Sequence, residues 1–269
     1  MESGSTDQKQ ITSGSHPIPL DIENPSTLLV NSMEEKLEML SLLSSECSIY
    51  RVQEEQRHGH ERGYTPKIVS ISPLHHRKED LKNMEEHKMW FLKAFIERTN
   101  EGIGFYVKLV KEKETRLRRC YSEKIQFNSY DFVKIVLVDA AFVIEVLLRF
   151  YFEELYTAND HIFNRPWLGL GIWHDMMMLE NQLPFFILED LYVASQKNVQ
   201  SFLHEERPSI LKLSYYFFKI AEYNFQREDQ NLDVIPSSKI EHFVNLLRQL
   251  LVQIEPRKGD SLGMPLDQG

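Results

Sequence analysis

Apolar residues recur along this chain at intervals of three and four, the spacing that lines side chains along one face of a helix. The first run opens at Pro25-Ser26 and puts Leu29, Met33, Leu37, Leu40 and Leu43 on one stripe. From Lys78 onward, Leu81, Met84, Phe91 and Phe95 form a second. A third passes through Tyr106, Leu109, Val110, Leu117, Cys120 and Tyr121. Lysines and arginines lie opposite it, and Glu112 and Glu114 stand four residues before Arg116 and Arg118. Helices are also predicted around Ile210 to Phe225 and over Ile240 to Ile254. In the latter, Ile240, Phe243, Val244, Leu247, Leu250, Leu251 and Ile254 keep a clean helical period.

The stretch from Ser129 to Phe152 is apolar almost all round. Its length would match a bilayer, which takes about 20 apolar residues. Lys134, Asp139, Glu145 and Arg149 interrupt it, however. An Asp near mid-span costs roughly 2.5–3.5 kcal/mol on insertion scales, so a core helix wrapped by its neighbours is the better reading. After a polar connection from Thr157 to Pro166, Ile172 to Ser195 reads as two helices meeting near Asn181 to Leu183, because Pro184 fits only a first helical turn.

Two short runs, Ile49 to Val52 and Lys67 to Ile71, look strand-like and flank a charged loop from Glu54 to Gly63. The expected fold is therefore mainly α: an irregular multi-helix domain with a small β-hairpin or ribbon near residues 48–72. Residues 1–25 are rich in Ser, Gly, Gln and Pro and read as a disordered leader. Residues 26–255 form the helical domain, and 256–269 a disordered tail. No internal repeat of 20 to 50 residues points to a solenoid.

Composition narrows the class. With 42% hydrophobic and 26% charged residues the chain can build an ordinary globular core. The net charge of −9 has the wrong sign for neutralising phosphates, so nucleic acid is not an expected partner. Two cysteines, Cys47 and Cys120, are too few for a disulfide framework or a thiolate zinc site. The polar start from Met1 to Asp7 lacks a signal-peptide core, and no Asn lies in a glycosylation sequon. A reducing, cytosolic setting is expected.

Candidate chemistry is sparse. His75-His76 lacks a third ligand at a defined spacing, and His58 and His60 sit in the charged loop, so no metal is expected. Asp139 and Glu145, on the apolar helix, are candidates for buried carboxylates with raised pKa values. A structural reading pairs Glu145 with Arg149 and gives Asp139 a neighbouring element. Asp175 through Phe186 is the most informative stretch: Glu180, Asn181 and Gln182 sit between two apolar blocks. They line a binding site or satisfy backbone groups where one helix ends and the next begins, the latter being favoured. Met176 to Met178 reads as adaptable core filler. Lys108, Lys111, Lys113, Arg116, Arg118 and Arg119 are interleaved with Glu112 and Glu114 and read as a solvated face. No phosphate loop, nucleophile elbow or HExxH is present. No cofactor is implied.

Several phrases together resemble a plant family, the domain of unknown function 247. They are Cys47-Ser48-Ile49-Tyr50-Arg51-Val52, Tyr64-Thr65-Pro66 followed by Val69 to His76, and Met84-Glu85-Glu86-His87-Lys88. Arg118 to Glu123, Phe132-Val133-Lys134, Val138 to Glu145 and Asp175 to Phe186 continue the match, with Leu179 to Pro184 the most diagnostic. The family has Pro where Gln53 stands and Gly where Ser72 and Arg77 stand. Its members are typically longer, with a second helical half and a hydrophobic membrane anchor, so the chain looks like a truncated member. The resemblance implies a plasma-membrane-associated plant protein, with some relatives implicated in pollen–stigma recognition, and it supplies no catalytic residue.

The expected function is a non-enzymatic interaction or signalling module with protein partners, on the cytoplasmic side of the membrane in full-length relatives. The alternatives are a hydrolase using Asp139 with Glu145, or Asp175 with Glu180, and a degenerate remnant. Asp139, Glu145, Asp175, Glu180, Asn181 and Gln182 are expected to hold the fold together.

Overall fold

A helix with no polar face has to be surrounded by others, and this requirement organises the computed structural model. It describes residues 25–41, 47–99, 101–157, 160–196, 207–221 and 236–254. The leader up to residue 24, the tail from 255, and the predicted helical positions 43 and 222–225 lie outside the described residues. The chain divides into two units, Met1–Leu42 and Leu43–Gly269. The first contains helix α1 (Pro25–Ser41), whose Leu29, Met33 and Leu37 are exposed.

The second unit holds the other helices: α2 (Glu54–Arg57), α3 (Lys82–Thr99), α4 (Ile103–Glu112), α5 (Glu114–Arg119), α6 (Ser129–Tyr151), α7 (Pro166–Met176), α8 (Phe185–Gln196), α9 (Ile210–Ala221) and α10 (Phe243–Ile254). Helix α6 is the axis. Every residue from Ile135 to Arg149 is buried, and α3, α4, α8 and α9 pack around it. Asn128 starts α6 as an N-cap, its Oδ1 accepting from the Asp131 amide at 2.9 Å. Phe91 of α3 meets Phe142 of α6 edge-to-face at 5.2 Å, and Phe218 of α9 meets Phe243 of α10 in the same way at 5.2 Å. No helix among the described residues is long and apolar enough to cross a membrane.

The third apolar stripe is not one helix. It bends at Lys113 (φ −100°, ψ 1°), where α4 ends and α5 begins. The bend carries Cys120 and Tyr121 against Ile49, so that both Ser48 and Ile49 donate to the Cys120 carbonyl at 3.1 and 2.9 Å. Helix α7 starts six residues earlier than Ile172, with Pro166 in its first turn, and it ends at Met176. An irregular connection from Met177 to Pro184, buried except at Met177 and Leu179, then leads into α8.

The β-ribbon expected near residues 48–72 does not form. Among the described residues the one bridge joins Ile49 to Tyr121, in parallel, and the stretch between the two extended runs holds α2 and a 3₁₀ turn at Glu61–Gly63. The physical reason is that the ribbon's donors are already engaged. Backbone N–H groups must be paired when buried, and those of Lys67, Ile68, Val69 and Ile71 are taken by side chains from the α7–α8 region. The extended segment lies so close to α7 that a Cβ on Gly171 would come 2.5 Å from Ile68 Cγ1. Only glycine permits that approach without displacement.

Candidate functional site

The informative stretch of the sequence folds into a buried polar seam. Asp175, in the last turn of α7, accepts from three successive amides: Lys67 at 3.0 Å, Ile68 at 2.6 Å and Val69 at 2.9 Å. Hydrogen bonds to an ionised acceptor are the strong kind, and three together replace a missing strand. Asn181 extends the clamp. Its Oδ1 accepts from the Ile71 amide at 2.8 Å, and its Nδ2 donates to the carbonyls of Val69 (3.0 Å) and Asp175 (2.9 Å). Gln182 Nε2 donates to the carbonyls of Met176 and Met178, both at 2.8 Å, and its own carbonyl accepts from Tyr121 Oη at 3.2 Å. The carbonyls that a helix C-terminus leaves open are thus closed by two amide side chains.

Glu180 faces the other way. Its wholly buried carboxylate accepts from the Val52 amide at 2.9 Å, from Arg57 Nη1 at 2.9 and 3.0 Å, and from Arg51 Nη1 at 3.4 Å. Arg51 also reaches Glu123 at 2.8 Å. His75 Nε2 lies 3.4 Å from Glu180, but burial, with the positive charges of Lys78, Arg51 and Arg57, pushes the imidazole down to about 3. It is therefore neutral, and neither ring nitrogen has a hydrogen-bond partner among the described residues.

Two further carboxylates sit on α6. Asp139 is held by Lys88 Nζ at 2.5 Å; the same ammonium bonds the Ser70 carbonyl at 2.9 Å and Glu85 at 2.5 Å. Burial pushes the Asp139 carboxyl up to about 7, against the pull of Lys88. Glu145 accepts from Arg98 Nε (2.9 Å) and Nη2 (2.6 Å) and is paired with Arg149 one turn on. Arg149 Nε continues to Asp160 at 3.3 Å, with its guanidinium 4.6 Å from the Phe91 ring centre.

The two carboxylate pairs weighed for hydrolysis are therefore not brought together. Each of Asp139, Glu145, Asp175 and Glu180 is buried with its own partners, and none lines a described cavity. General acid–base work needs a group within reach of a substrate proton, and each of these four is engaged instead by its own cations or backbone amides. No group of three His, Cys, Asp or Glu among the described residues is arranged to hold a metal ion. His58 and His60 are exposed, and His76 lies 3.8 Å from Glu85. The basic stretch is engaged in pairs: Lys108 with Glu112, Lys111 and Arg118 with Glu114, Lys113 with Asp190, and Arg116 stacked 3.8 Å over Phe186.

Sequence reasoning missed the cationic partners Lys88, Arg51, Arg57 and Arg98. One signal was available for Lys88. It stands four residues after Met84 and three before Phe91, squarely on the apolar stripe of α3, where a lysine needs a buried counter-charge.

The fold and seam define a class: a helical domain in which one polar loop clamps an extended segment onto the end of a helix. The chain belongs to a family described as plant protein of unknown function, the domain of unknown function 247, whose profile matches residues 49–262. It is 30% identical over 221 residues to the UPF0481 protein At3g47200 of Arabidopsis thaliana, covering 81% of this chain and 44% of that protein. It is 31% identical over 159 residues to a putative UPF0481 protein, At3g02645, of the same plant, covering 58% of this chain and 29% of that one. The chain spans less than half the length of both relatives. No solved structure matches it.

Proposed function

We propose that this chain is a protein-interaction module, working in longer family members at the cytoplasmic face of the plasma membrane. The observation that carries the interaction reading is an apolar groove of about 570 Å³ across α3, α4 and α6. Leu92, Val133, Leu137 and Val138 are among the residues that line it. Met89, Ile103, Val107 and Tyr130 stand on it with 46%, 51%, 41% and 77% of their surface open to solvent. Isolated exposed apolar residues need no explanation, but a contiguous set around a groove marks a surface built to be covered. Lys111 and Lys134 add positive charge to the lining. The membrane part of the reading rests on the family resemblance.

The test is proximity labelling in plant cells with the chain fused to a biotin ligase, beside a Val107→Asp/Tyr130→Asp variant. Both positions are exposed, so the fold should tolerate the change. A reproducible set of labelled proteins lost in the variant supports the reading; identical profiles for the two chains would sink it.

A further inference from the structure

We infer that the groove across α3, α4 and α6 takes helix α1 of a second copy of this chain, each copy docking its α1 on the other. This occupant rests on the reading of the groove as an interaction surface and says what fills it. A groove walled by three helices offers no open strand edge, because helical backbone groups are bonded within their own element. Among its described lining residues Tyr130 is the one aromatic ring, so the aromatic-lined surface that proline-rich peptides use is absent there. An amphipathic helix laying an apolar stripe into the groove is the mode that fits.

Helix α1 carries such a stripe. Leu29, Met33 and Leu37 recur every four residues along one face, and each has more than half of its surface open to solvent. A helix of 17 residues is marginal in water on its own and owes most of its stability to an apolar face that is covered. The charges agree in sign. The sequence of α1 holds Glu34, Glu35 and Glu38 against Lys36, whereas Lys111 and Lys134 line the groove and no carboxylate is among its described lining residues. Lys111 is shared with Glu114, so apolar contact supplies the affinity and charge the orientation. Each chain brings both a stripe and a groove. Two copies about a twofold axis therefore make the contact twice, which doubles the area one docked helix buries and closes the assembly.

Analytical ultracentrifugation of the full chain reads the outcome. The parent should pass from one to two chains per particle as its concentration rises. Leu29→Gln/Met33→Gln/Leu37→Gln strips the stripe but keeps good helix formers, and should stay single about tenfold above the parent's midpoint. Val107→Asp/Tyr130→Asp, changed on the groove, should stay single as well. Mixing these two variants should give two-chain particles where neither forms them alone, since one keeps its groove and the other its α1. A synthetic peptide of residues 25–41 in excess should return the parent to single chains, with no substitution in the protein. A parent that stays single, a mixture that stays single, or a dimer indifferent to the peptide would each overturn the assignment. Labelled partners lost in Val107→Asp/Tyr130→Asp beside a single parent chain would keep the interaction reading and reject α1 as the occupant. Pairing through α1 with unchanged labelling would do the reverse.

Discussion

Lys88 Nζ stands 2.5 Å from the Asp139 carboxylate, and both side chains are shut off from water. The pair joins α3 to the axis of the domain, and through the Ser70 carbonyl it also holds the extended segment. Removing one charge from such a pair leaves the other stranded, whereas removing both does not.

Lys88→Met should therefore destabilise the chain by about 3–5 kcal/mol, while Lys88→Met/Asp139→Leu should return to within about 1–2 kcal/mol of the parent or exceed it. The single variant's loss should shrink as pH falls. Asp139, already pushed up to about 7 by burial, takes a proton more readily once Lys88 is gone, and a neutral carboxyl is tolerated where an ion is not. Urea unfolding at pH 5.5 and 8 checks both statements. A loss that does not depend on pH would contradict them.

Burial also sets a pH dependence of opposite sign. His75 is pushed down to about 3 and His242 to about 4, and His76 is lowered as well, all first by burial. In the unfolded chain each takes up a proton near pH 6.5. Between about pH 4 and 6.5 the unfolded state binds more protons at these sites, so stability falls as the solution is acidified. Asp139 opposes this. Protonated in the folded state up to about 7, it favours folding as pH falls through the same window. The histidines outnumber it, so the net slope is loss with acid. His75→Gln should reduce that slope by about 1.4 kcal/mol per pH unit in a urea series from pH 4 to 6.5. An unchanged slope would show that His75 is not held neutral.

The Asp175 clamp makes a separate prediction. Asp175→Ala strips acceptors from three amides at once, two of them on at least partly buried residues, and should cost about 3–5 kcal/mol in thermal unfolding. Asp175→Asn keeps one oxygen but turns a donor toward donors, so it should recover only part of the loss. A variant with parental stability would mean the 67–71 segment has another way to pair.

These contacts mark how much of the molecule could be read in advance. Most of the long helices follow from spacing, because a 3.6-residue period admits few other interpretations, while α2 lies in a stretch that reads as a charged loop. The core helix at Ser129–Tyr151 was legible from its lack of a polar face. The break at Lys113 was not, since no glycine or proline marks it. The ribbon failed for a reason beyond any local pattern. Strand-like residues imply a partner, but here the partners are Asp175 and Asn181, more than a hundred residues away. Asn181 and Gln182 close the end of α7 through its carbonyls. Glu180 instead reaches back to Arg57 and Val52, a link that sequence spacing does not encode.

Two glycines in α7 should respond in opposite directions to the same substitution. At Gly169 an added methyl meets open space, and replacing glycine inside a helix gains about 0.5–1 kcal/mol through the lost freedom of the unfolded chain. At Gly171 the methyl would lie 2.5 Å from Ile68 Cγ1, too close for any real contact. Ile68 cannot simply retreat, because the Asp175 carboxylate grips its own amide and those on either side. Gly171→Ala should therefore lose about 1–3 kcal/mol to overpacking, despite its better helix propensity. The clash is with a side chain, so Ile68→Ala should relieve it. In a double-mutant cycle by urea denaturation, Gly171→Ala should cost at least about 1 kcal/mol less in the Ile68→Ala background than in the parent. Strict additivity would mean that α7 and the extended segment separate freely, and that the clamp does not set their distance.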